Sequence, residues 1–179
     1  MKSAVEQLST YKSVHLNPTN IKTHFVGIPL IIWSAFVMLN TIPISFLKLD
    51  DPTLVLNVAG VFAIGVLIYY AKLHLKLAVG LALFILPVLY TSYLVSQMEP
   101  AWLIAVSVFV IGWVFQLIGH KYEKAKPAFV DDLNQLLIGP FFLMAELYFM
   151  LGLEKGLDKT ITPLAITKRR AIEASNKSA

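Results

Sequence analysis

His15, His24, His74 and His120 are the side chains of this sequence best suited to bind a metal. Along a serpentine of hydrophobic runs, His15 and His24 precede the first run, His74 lies between the second and third, and His120 follows the fourth. All four then fall at one membrane edge. Scattered imidazoles would mean little, but several converging on one side of a bilayer are the makings of a metal site.

The N-terminal pair sits in Tyr11-Lys-Ser-Val-His15-Leu-Asn17-Pro18-Thr-Asn20-Ile-Lys-Thr-His24. On one unbroken helix the two histidines would point to opposite sides, since their separation is two and a half turns. Asn17-Pro18 prevents this. A residue before proline is pushed toward extended backbone, and proline suits the first turn of a new helix. A bend here lets the imidazoles converge. Tyr11 and His15 share a face at i,i+4, as do Asn20 and His24, so Asn20 can orient His24 or bind a ligand beside it. The competing reading is an interfacial polar stretch with an Asn-Pro helix start.

A second polar cluster follows the fourth run: Gly119-His120-Lys-Tyr-Glu123, then Asp131-Asp132-Leu-Asn134-Gln135. His120 and Glu123 are one turn apart, a spacing that presents imidazole and carboxylate to one ion. Asp131, Asp132, Asn134 and Gln135 offer ligands, groups that orient ligands, or simply a helix N-cap. Glu123 is equally able to pair with the lysines around it. His74, in Lys72-Leu-His74-Leu-Lys76, reads as an interfacial loop residue. Three neutral imidazoles with a carboxylate suit Fe(II) or Zn(II) alike. The chain has no His-Glu-x-x-His, Gly-x-Ser-x-Gly or Walker motif and no repeated histidine boxes. It also has no cysteine, which removes thiolate ligands and disulfides.

These residues must be held by membrane helices. Of the 179 residues, 57% are hydrophobic and only 15% charged, where a soluble domain carries roughly a quarter. Apolar segments at 25–47, 53–70, 77–96 and 101–119 are each long enough to cross a hydrocarbon core as a helix. They do not alternate, so a β-barrel is excluded. The first run begins too late and runs too long for a cleavable signal peptide. The fold expected is an all-α integral membrane protein with four transmembrane helices and a fifth hydrophobic segment that is re-entrant or packed. It forms a single membrane domain over 1–179: a polar metal-site segment (1–24), membrane helices (25–153) and a basic C-terminal tail (154–179).

Lysines orient it. Lys2, Lys12, Lys22, Lys72, Lys76, Lys121, Lys124 and Lys126 lie on the histidine side, against Lys48 alone, beside Asp50 and Asp51, on the other. The N-terminus and the metal site should be cytoplasmic, and the net charge of +4 reflects this bias rather than nucleic acid. A fifth full crossing at 135–153 would carry the basic tail to the wrong side. That segment also holds Gly139-Pro140 and Glu146, and irregular backbone or charge at membrane depth belongs inside protein or along a polar cavity. The last twenty or so residues read as an interfacial helix fading into a disordered end.

At these clusters the chain resembles the membrane-bound 2-hydroxy fatty acid dioxygenases of fatty acid α-oxidation, which have fungal and bacterial members. The resemblance lies in Tyr11-x-x-x-His15-x-Asn17-Pro18-x-Asn20-x-x-x-His24. It continues in Gly112-Trp113-x-Phe115-Gln116-x-x-Gly119-His120, Glu123-Lys124, Pro127-Ala128, Asp131-x-Leu133-x-Gln135 and Pro140-x-Phe142-x-x-x-Glu146. Fungal members have one more residue between the histidine and the glutamate, so Glu123 here stands at i+3 rather than i+4. The resemblance implies an Fe(II)-dependent enzyme that uses O2 to shorten a 2-hydroxy fatty acid by one carbon, releasing CO2 and water. It implies His15, His24 and His120 as metal ligands, with Asn20, Glu123, Asp132 and Glu146 as a fourth ligand or as groups that orient the others. Lys22 or Lys121 could draw the substrate carboxylate to the mouth, and membrane lipid would surround the acyl slot. A bacterial inner membrane suits the chain better than an endoplasmic reticulum. Two rivals use the same residues differently: a zinc-dependent membrane hydrolase of lipid amides, and a non-enzymatic scaffold or transporter subunit.

Overall fold

The computed structural model describes residues 2–42, 57–130 and 132–178, and among these every regular element is helical. In chain order they are α1 (Ala4–Ser13), α2 (Pro18–Asn40), α3 (Val58–Leu73), α4 (Leu75–Ser96), α5 (Ala101–Glu123), a 3₁₀ turn (Ala128–Val130), α6 (Gln135–Met150) and α7 (Lys155–Ser178). Asp131, Lys48, Asp50 and Asp51, and the expected apolar positions 43–47 and 53–56, lie outside the described residues.

Local chemistry sets the boundaries. Ser3 caps α1 by accepting from Glu6 N at 3.1 Å. Asn17 opens α2, its Oδ1 accepting from Thr19 N at 2.8 Å, with Pro18 as the first helical residue. Asn57 caps α3 through Gly60 N at 2.7 Å. A single residue, His74, in extended backbone (φ −162°, ψ 106°), ends α3 and begins α4.

Among the described residues, three helices are long and apolar enough to cross a membrane: Pro18–Asn40, Leu75–Ser96 and Ala101–Glu123. Val58–Leu73 and Gln135–Met150 are apolar but shorter. At 1.5 Å per residue a helix of 16 residues reaches about 24 Å, less than a hydrocarbon core of about 30 Å. Large apolar side chains on α3, α4 and α5 (Phe62, Leu83, Leu103 and Leu117 among them) stay exposed, as lipid-facing residues do.

The chain divides into two compact units. Val26–Phe115 packs Phe36 of α2 against Ala59 and Ala63 of α3 and Val88 of α4, and Val37 of α2 against Ala101 and Ala105 of α5. In this unit a Cβ at Gly112 would lie 2.8 Å from Ile31 Cγ1 and 3.0 Å from Gly27 O, so α2 and α5 touch at a small-residue contact. The other unit, Met1–Phe25 with Gln116–Ala179, holds α1, α6, α7 and the ends of α2 and α5 that carry His24 and His120. Its core is built on α6, where Ile138, Phe141, Phe142 and Ala145 are buried, and α1 packs on both α6 and α7. Gly152 (φ 73°) and Glu154 (φ 51°) reverse the chain between α6 and α7. That turn requires the left-handed region, which glycine enters at no steric cost.

Candidate metal centre

The break at Asn17-Pro18 leaves His15 in the connection between α1 and α2, while His24 rides the second turn of α2 and His120 the last turn of α5. The three meet. Their ligand-capable nitrogens all lie within 4.8 Å of one another, with His15 and His24 fully buried. The His15 and His24 Nε2 atoms are 3.1 Å apart. Ring centroids of His120 lie 5.0 Å from His15 and 5.1 Å from His24, against 4.7 Å between the latter two.

Tautomers follow from the neighbours. His15 Nδ1 is 2.7 Å from the Tyr11 carbonyl oxygen and His24 Nδ1 is 2.9 Å from that of Asn20. A carbonyl only accepts, so each Nδ1 carries the proton and each neutral ring presents a bare Nε2 lone pair. Burial first, and then the neighbouring His24, push His15 well below its ordinary pKa of 6.5, outweighing its hydrogen bond to Tyr11. Two lone pairs facing each other at 3.1 Å repel unless a cation lies between them. At metal–nitrogen lengths of about 2.1 Å, ligand nitrogens stand about 3.0 Å apart at right angles and about 3.4 Å at tetrahedral angles. The His15–His24 spacing falls between. His120 adds a buried Nδ1 that has no hydrogen-bond partner among the described residues. The three-histidine group can hold a metal ion.

Around the histidines the packing is aromatic and close. Tyr11 stacks flat on His15 (centroids 4.1 Å, 1° between planes), and Phe142 of α6 lies 5.6 Å from His15 and 4.9 Å from Tyr11. A Cβ at Gly119 would fall 2.3 Å from Thr23 Oγ1, 2.4 Å from Asn20 Oδ1 and 3.2 Å from His24 Nδ1, so only glycine lets α5 approach α2 here.

The remaining candidates occupy distinct places. Asn20 is buried beside the histidines. Its carbonyl oxygen orients His24, its Nδ2 donates to Glu123 Oε2 at 3.0 Å, and its Oδ1 has no hydrogen-bond partner among the described residues. Glu123 does not join the three histidines. Its carboxylate accepts from Leu16 N (3.1 Å), Asn17 N (2.8 Å), Asn20 Nδ2 and Arg169 Nη1 (3.1 Å), which ties down the loop carrying His15. Asp132 lies just before α6, whose N-cap is Asn134, and its carboxylate accepts from Asn134 N at 3.0 Å and Gln135 Nε2 at 3.3 Å, with Lys2 3.8 Å away. Glu146 forms a buried ion pair with Lys12 of α1, whose ammonium also lies 5.4 Å over the Phe149 ring. Lys22 and Lys121 are exposed, and His74 belongs to the other unit.

Two contributors escaped the sequence reading. Lys12 counted only as an orienting charge, and Arg169 only as part of a basic tail. Lys12 could have been found from Glu146, since a carboxylate in an apolar segment demands a cationic partner. No sequence signal marks Arg169.

The sequence model of the Mpo1-like family, described as "2-hydroxy-palmitic acid dioxygenase Mpo1-like", matches residues 1–151. The 2-hydroxy-palmitic acid dioxygenase MPO1 of Saccharomyces cerevisiae is 31% identical over 157 residues, which cover 87% of this chain and 85% of the yeast protein. No solved structure matches.

Proposed function

The chain belongs to the Mpo1-like family of 2-hydroxy-palmitic acid dioxygenases, and on that premise we propose that it is an Fe(II)-dependent dioxygenase of 2-hydroxy fatty acids. The net reaction takes a 2-hydroxy acid and O2 to the acid one carbon shorter, CO2 and water. The substrate supplies all four electrons that O2 requires, so no further reductant enters. The observation that carries the metal reading is the pair of bare Nε2 lone pairs of His15 and His24, 3.1 Å apart, with His120 beside them.

When bound, Fe(II) supplies the redox centre at which a hydroxy acid and O2 can meet. The protein's own part is positional. The Tyr11 and Asn20 carbonyls hold the Nδ1 protons of His15 and His24 so that their Nε2 atoms stay free. Tyr11 and Phe142 keep water from one side of His15. Glu123 holds the loop, and Lys12 keeps Glu146 from standing as a lone buried charge.

The same reading gives one membrane domain with four crossings, the second of them in the apolar run that includes α3, and α6 as the packed fifth segment. The lysine distribution sets the histidines at the cytoplasmic face, and the host is a bacterial inner membrane. The test is metal analysis of the detergent-purified chain together with O2 uptake on 2-hydroxypalmitate. About one iron per chain (as for a mononuclear site), O2 uptake and an odd-chain C15 acid as product are the expected results. Zinc without O2 uptake would favour the lipid-amide hydrolase, and no metal at all would exclude both enzymes.

A further inference from the structure

α7 (Lys155–Ser178) lies beyond the stretch matched to the family, residues 1–151, yet it reaches the metal centre. Ile161 and Ala165 bury its apolar face, and the helix packs along α1. From it Arg169 extends to the end of α5 and donates to Glu123 twice: Nη1 to Oε1 at 3.1 Å and Nη2 to the main-chain oxygen at 3.0 Å. The Nη1 group also points to Ser13 O at 3.4 Å, at the end of α1, while Nε donates to Glu173 Oε1 at 2.7 Å.

We propose that Arg169 is a positioning residue for the three-histidine centre, acting through Glu123. This rests on the metal-centre reading above. The Glu123 side chain is only 2% exposed, and Arg169 supplies the cationic partner bonded to its carboxylate. The other donors to that carboxylate are neutral: Leu16 N, Asn17 N and Asn20 Nδ2. Leu16 adjoins His15, and Asn20 bears the carbonyl that orients His24. A buried carboxylate deprived of its cation is strongly destabilised and draws in water or moves outward. Either response loosens the two main-chain contacts that fix the His15 loop. A lysine at 169 retains charge but cannot bridge a side-chain and a main-chain oxygen with one planar fork.

The test uses the full chain in detergent with Co(II) as probe, reading the dissociation constant by chelator competition and the visible ligand-field spectrum. Loss of a group that orients metal ligands typically weakens binding about 10–100-fold. Arg169→Ala should fall in that range with an altered spectrum, and Arg169→Lys should lie between it and the unsubstituted chain. Arg169→Ala added to Glu123→Gln should cost little beyond Glu123→Gln alone, because both act on one contact. Lys168→Ala removes a bond from the same helix to Thr10 (2.6 Å) without touching Glu123, and should leave affinity and spectrum unchanged. Unsubstituted chain that binds Co(II), with Arg169→Ala binding equally well, would overturn the role of Arg169 and leave the metal centre standing. Failure of the unsubstituted chain to bind Co(II) would overturn both. If Arg169→Ala does not yield folded protein, Arg169→Lys decides: undiminished affinity and an unchanged spectrum overturn the proposal.

Discussion

His15 and His24 are held in the same way: each ring gives its Nδ1 proton to the main-chain carbonyl four residues earlier, and their free Nε2 atoms end 3.1 Å apart. Neither contact needs another helix. The α1 turn supplies one carbonyl and the α2 turn the other, so both tautomers are set by local backbone before His120 arrives.

Replacing any of His15, His24 or His120 with alanine should reduce bound metal from about one ion per chain to near zero (a mononuclear site) and abolish O2 uptake. His74→Ala, at the junction of α3 and α4, should retain full metal content. Metal analysis of the four purified variants checks this, and retention by His120→Ala would remove it from the ligand set.

Gly119 and Gly65 make a contrasting pair. A methyl at 119 would press into Thr23 and Asn20, whereas one at Gly65 meets nothing within 4 Å. Gly119→Ala should lose about 1–3 kcal/mol of stability and weaken metal binding by displacing Asn20 from His24. Gly65→Ala should be neutral or gain up to about 1 kcal/mol from helix propensity. Thermal unfolding in detergent, with and without metal, separates them.

The buried pair Lys12–Glu146 permits a cleaner question about Glu146. Glu146→Leu alone strands the ammonium and should cost about 3 kcal/mol or more, whereas Lys12→Met with Glu146→Leu should recover most of that loss. A double variant that is stable and active assigns the pair to structure. One that is stable and binds metal but turns over no substrate assigns the pair to the chemistry.

Legibility followed sequence distance. The convergence of His15 and His24 could be argued from Asn17-Pro18, because a proline's effect is confined to its own neighbours, and the break does fall there. His120 required a guess about which hydrophobic runs lie side by side. Glu123 was conspicuous as an acid one turn from a histidine, but intrahelical spacing cannot reveal that its partners are Leu16 and Asn17, the latter 106 residues away. Arg169 was hidden for the same reason. A charge in a polar tail looks alike whether it is solvated or folded back, and only the packing of α7 on α1 distinguishes the two. Asp132 is not the cap of α6, which is Asn134, and its bonds run to Asn134 N and the Gln135 side chain close by in the sequence.

Asn20 and Glu123 stand 103 residues apart in the chain yet share a hydrogen bond, with a histidine of the candidate metal centre close to each on the sequence. An ion held by His24 and His120 would therefore fasten the two ends of a long excursion through the bilayer, acting as the clasp of a closed ring. Closure entropy grows only logarithmically with the length enclosed. The connections between its helices can thus lengthen or shorten at little entropic penalty, while at the clasp Gly119 leaves no room even for a methyl group.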